Sequence, residues 1–127
     1  MMGVALYDLE FQPFAFSTKL LAQNINTLAS DDEIGTIVLH VDSPGGVVTG
    51  VPEAADAVFK AAQTKRVVAV VDPLCASAAY WIASQASEVS VIGSGDVGSV
   101  GVFMLHTEFS EALANEGVRP TFIVSHC

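Results

Sequence analysis

Positive charge is scarce in this sequence. Five Lys+Arg stand against fourteen Asp+Glu, a formal net charge of -9. Nucleic-acid binding needs clustered Lys and Arg to displace phosphate counterions, and no such cluster exists here. The same shortage argues against docking on anionic lipid. Cysteine is nearly absent, and the two present, Cys75 and Cys127, make no disulfide framework. Cys75 in its apolar context reads as a buried free thiol, and a reducing cytoplasm is the expected compartment. Long apolar runs are missing as well. The richest, Val67 to Val71, stops at Asp72, far short of the roughly 20 residues that span a bilayer. Met1 to Tyr7 lacks the basic flank and long apolar core of a secretory signal.

What is present is apolar. Hydrophobic residues make up 51% of 127 residues and charged ones 15%. That composition can bury a core and is too poor in charge for a disordered chain. No repeat, low-complexity tract or linker divides it, so a single domain over residues 1–127 is expected.

Two periods alternate along the chain. Val4 to Leu9 reads as a strand. Thr18 to Ala29 reads as a helix, capped by Ser17, with Leu21, Ile25 and Leu28 on one face. Thr36 to Val41 (TIVLHV) is β-branched and apolar, the pattern of a buried strand. It runs into the turn Asp42-Ser43-Pro44-Gly45-Gly46. A helix follows from about Pro52, a residue suited to the first helical position, with Ala54, Ala55, Val58 and Ala62 along one side. Arg66 to Val71 reads as a second buried strand, ended by Asp72 and Pro73. Ala76 to Ser84 (ASAAYWIAS) reads as a buried helix, Glu88 to Ile92 as a short strand, and Gly93 to Gly98 as a loop. Val100 to Leu105 reads as another strand. Thr107 can cap a helix through Asn115 that Gly117 closes, and Thr121 to Val124 begins a last strand. Strands alternating with helices imply βαβ units, hence an α/β fold with a mainly parallel sheet.

Three segments carry chemistry. In Asp42-Ser43-Pro44-Gly45-Gly46 the glycine pair lets amides face outward, unblocked by side chains. Such amides stabilise the oxyanion of an acyl-transfer intermediate, although a plain strand-to-helix turn has the same composition. Ser77 follows a buried strand and starts an apolar helix, where a hydroxyl lies in the positive field of the helix amides. An ordinary N-cap serine fits there as well. Gly95-Asp96-Val97-Gly98-Ser99-Val100-Gly101 permits close backbone approach around a serine, or is simply a flexible loop. No lysine follows its glycines, which excludes a phosphate loop.

The order DSPGG, then ASAAYWIAS, then GDVGSVGV resembles the peptidase family of signal peptide peptidase A and protease IV, most of all its phage capsid-assembly (head maturation) branch. The resemblance runs from about Val4 to the C-terminus. It implies a Clp/crotonase-like fold, C-terminally truncated here, assembled into rings or domes. It makes Ser77 the expected nucleophile of a Ser-Lys dyad. Gly45, Gly46 and the amide of Ala78 match the oxyanion hole, and Ser99 matches a serine that orients the lysine. Many relatives carry glycines where this chain has Ala78 and Ala79. The implied substrate is an extended polypeptide, a capsid or scaffold protein or a signal peptide, with no cofactor and no metal.

A serine hydroxyl needs a base to become a nucleophile. In the family the base is a lysine just after the strand matching Thr121 to Ser125, made neutral by burial. This sequence stops at His126 and Cys127, and Lys19, Lys60 and Lys65 match no family base. The expectation is therefore a fragment of a longer protein, or else an inactive copy. His106 offers a Ser-His pair instead. A non-catalytic ring-forming module and an acyl-CoA enzyme of the crotonase type are the competing functions. The second of these would need carboxylates near the glycine turn.

Overall fold

The computed structural model describes residues 3–10 as backbone and residues 17–123 in full. Cys127 and the end of the last expected strand lie outside them. The elements run β1 (Gly3–Glu10), α1 (Thr18–Ser30), β2 (Ile34–Ser43), α2 (Val51–Thr64), β3 (Arg66–Ala76), α3 (Ala78–Ala83), β4 (Glu88–Val91), β5 (Asp96–Gly98) and α4 (Ser110–Asn115). β1 to β4 lie side by side in chain order, and β5 pairs with the far end of β3. Every pairing is parallel, as the βαβ reading expects.

The core forms where the two periods meet. Ile37, Leu39 and Val41 alternate along β2, and Val67, Ala69 and Val71 along β3, all fully buried. A strand turns every second side chain to one face. The helices supply Leu21 and Ile25 from α1, with Val51, Ala54, Val58 and Ala61 from α2. Each Val, Leu or Ile so buried contributes about 1.5–3 kcal/mol relative to exposure. Ser17 caps α1, its Oγ accepting from the Leu20 N–H at 3.3 Å, and Pro52 sits in the first turn of α2. Lys65 fastens the far end of the layers. Its Nζ donates to the Ile34 carbonyl at 2.7 Å and to the carbonyl of Asp31, the residue that ends α1.

Five expectations change. β3 continues through Asp72 and Pro73 to Ala76, because Ser43 pairs with Cys75 on one side and β5 with Leu74 to Ala76 on the other. That second pairing makes a strand of Asp96 to Gly98 inside the expected loop. Val100 to Leu105 forms no strand, with no pairing partner among the described residues. Its side chains stand exposed, Phe103 at 95%. α4 begins at Ser110 rather than after Thr107. Gly117 closes it as expected, in the left-handed region at φ +74°, with its N–H donating to Ala114. Thr121 to Ile123 likewise form no strand.

Candidate active site

Parallel strands deliver their C-terminal ends to one edge of the sheet, so the loops after β2, β3 and β5 meet there. The register brings Ser43 opposite Cys75 and Ala76 opposite Gly98. The DSPGG turn, Ser77 and Ser99 therefore follow directly from paired residues.

Ser77 stands between β3 and α3 with φ 53° and ψ -122°. A non-glycine residue at positive φ costs about 1–3 kcal/mol and persists only when its surroundings over-determine it. Three contacts do so. Its N–H donates to the Gly98 carbonyl at 2.9 Å, and its carbonyl accepts from the Trp81 N–H at 3.0 Å, starting α3. The third is the glycine turn. Gly45 has φ +92°, and a Cβ there would lie 2.7 Å from both Ser77 Cβ and the Ala76 oxygen, and 2.8 Å from the Ala78 nitrogen. Only glycine lets the turn press this close to the serine. A serine on a strained strand-to-helix turn, its Oγ presented at the sheet edge, is the general form of a nucleophile elbow.

The amides around Ser77 are not equivalent. The Gly45 N–H donates to Ser43 Oγ at 3.2 Å. Gly46 is exposed, with open space where a Cβ would be, and its N–H has no acceptor among the described residues. The N–H groups of Ala78, Ala79 and Tyr80, in the first turn of α3, have no intrahelical acceptor.

A cleft of about 880 Å³ opens over this edge. Ser77, Ala78, Gly46 and Ser99 line it, together with Val47, Val48, Val51, Tyr80, Trp81, Val100, Val102 and Phe103. The sequence-expected residues thus converge, Gly45 sitting behind Ser77 rather than in the cleft wall. Ser99 shares the positive φ of Ser77, 53°. The aliphatic wall and Trp81 were missed as site residues. Trp81 was legible in principle, four residues beyond Ser77 and hence above it on the same helix face.

No Lys, His, Asp or Glu of the described residues lines the cleft. Lys65 serves the backbone at the opposite end of β3. Lys60 pairs with Asp56 at 2.6 Å one helical turn away. His106 lies in the exposed stretch beyond the cleft.

The sheet is parallel, with a serine at positive φ backed by a glycine turn, and solved structures give its fold. A membrane-bound stomatin-specific protease, 1510-N, in complex with a substrate peptide, aligns over 90% of this chain and 54% of its own, with a TM-score of 0.62 at 18% identity. An enoyl-CoA hydratase/isomerase family member aligns over 68% of this chain and 42% of its own, at 0.56 and 18%. The fold is therefore the crotonase-like one shared by these peptidases and acyl-CoA enzymes. Residues 59–126, more than half the chain, match peptidase family S49. The chain belongs to that family. It is 34% identical over 116 residues to the capsid assembly protease C of Escherichia phage lambda, covering 90% of this chain and 26% of that protein. The chain thus spans about a quarter of the length of that relative. Among the described residues, no helix is long and apolar enough to cross a membrane.

Proposed function

We propose that residues 1–127 form the nucleophile-bearing domain of a serine endopeptidase that cleaves extended polypeptides. The observation that carries this is the Ser77 elbow with Gly45 pressed against it. Ser77 Oγ attacks the scissile carbonyl. The Gly46 and Ala78 amides receive the oxyanion, while Gly45 holds the turn close enough for them to converge. One such donor is worth about 3 kcal/mol of barrier.

The base is a lysine outside these 127 residues, oriented by Ser99. Two findings favour a base from outside. None of the described lysines reaches the cleft, and this chain matches only 26% of the phage relative's length. Capsid or scaffold proteins are the proposed substrates, since the phage relative is a capsid assembly protease. The acyl-CoA alternative is disfavoured, because no carboxylate of the described residues lines the cleft.

Self-association belongs to the same reading, since contiguous exposed apolar surface marks an interaction face. Phe103, Met104, Leu105, Phe122 and Ile123 are each at least 84% exposed. Light scattering of the 127-residue chain is expected to give a mass above the monomer, and a clean monomer at high concentration contradicts it. The proteolytic claim is tested by cleavage of an unfolded capsid polypeptide by the lysine-bearing longer protein. The wild type cleaves it and Ser77→Ala does not.

A further inference from the structure

The cleft holds one feature that nucleophile, oxyanion turn and base leave unused. On α3, Ala79, Ile82 and Ala83 face the core. Ser77, Trp81 and Ser84, at i, i+4 and i+7, face the cleft. Residues four apart stand one above the other on a helix. Trp81 is bound to the nucleophile's own backbone by its N–H bond to the Ser77 carbonyl, 3.0 Å long. The residue is 41% exposed, leaving a large aromatic surface open to the cleft. It is also the single tryptophan of the chain.

We propose that Trp81 is the specificity-determining residue of the cleft. Its indole is the wall against which one substrate side chain packs, and its bulk confines that position to small uncharged side chains. The inference rests on the serine peptidase reading and adds the residue that selects the substrate. Two observations support it. Val47, Val48 and Val51 line the cleft with Trp81, and no charged side chain of the described residues does, so a charged side chain entering there gains no ionic partner. Val51 is itself buried and backed by the core, so that residue does not yield to a larger guest. Removing the indole is then the simplest way to make room.

The test uses the 127-residue chain and needs no turnover. Short uncharged peptides carrying Ala, Leu, Phe or Asp at one central position are titrated while the emission of Trp81 is followed, with affinities taken independently by calorimetry. Saturable shifts in Trp81 emission are expected with the Ala peptide, weaker binding with Leu and Phe, and none with Asp. These titrations read binding alone, with no step on Ser77, which separates this inference from the nucleophile assignment. Trp81→Ala should move the Phe:Ala affinity ratio toward Phe by about tenfold or more, the order of discrimination an apolar pocket gives. Trp81→Phe, a smaller change, should shift it in the same direction and guards against a variant that fails to fold. The proposal is overturned if no peptide binds saturably, if bound peptides leave Trp81 emission unmoved, or if both folded variants keep the wild-type ratio.

Discussion

The Ser77 N–H donates to the Gly98 carbonyl at 2.9 Å, carrying the β3–β5 ladder one residue past its last strand pair. That bond sets Ser99 beside Ser77, and the two serines share the same left-handed φ of 53°. The glycine-flanked serine and the elbow serine are thus successive products of one strand pairing. It explains why a three-residue strand matters to the site.

The two glycines of the turn should behave differently. Gly45→Ala forces a Cβ to 2.7 Å from Ser77 Cβ at a φ of +92°. It should cost about 2–4 kcal/mol of stability, combining backbone strain with a displaced neighbour. Gly46→Ala meets nothing within 4 Å and should change stability by under about 1 kcal/mol. Urea unfolding of both variants checks the order, and equal losses would contradict the packed-turn account.

Much of this site was legible in the residues. The DSPGG turn, the serine after an apolar strand and the Ser17 and Pro52 helix starts are local signals, and the structure follows them. What escaped was tertiary. Asp72 and Pro73 look like a strand end, yet β3 runs on because Ser43 and β5 flank it. Asp96 to Gly98 look like a loop, yet they pair. Val100 to Leu105 have strand composition without a pairing partner among the described residues. β-propensity describes a side chain's fit to a sheet and does not say which sheet is there.

Lys65 is a structural cation in this account. Its ammonium group serves the Asp31 and Ile34 carbonyls, where charged hydrogen bonds contribute about 1.5–3 kcal/mol each before exposure discounts them. Lys65→Met should lower stability by about 1–3 kcal/mol in thermal unfolding. In the longer protein it should leave phosphonate labelling of Ser77 at the wild-type level. Loss of labelling in a folded Lys65 variant would mean that this lysine acts on the serine.

Burial pushes the Cys75 thiol up to about 11 from an ordinary value of 9.0. The unfolded chain therefore loses this proton first. The stabilising effect is complete below about pH 9 and disappears as pH rises toward 11, by at most about 3 kcal/mol. Urea midpoints between pH 8 and 11 should fall more steeply for the wild type than for Cys75→Ala. Parallel slopes would show that the thiol ionises as easily folded as unfolded.

The central claim is that Ser77 is the nucleophile and that its base lies outside these 127 residues. An activated-phosphonate probe, with the adduct located by mass spectrometry, tests it most directly. The 127-residue chain should label weakly or not at all, and should cleave no peptide. A chain extended past Cys127 through the family's lysine should carry one adduct on Ser77. Ser77→Ala should abolish the adduct and lower cleavage by about three orders of magnitude or more, and Ser99→Ala should cost less. Peptide cleavage by the 127-residue chain alone, stopped by His106→Ala, would contradict the account and put a Ser-His pair in its place.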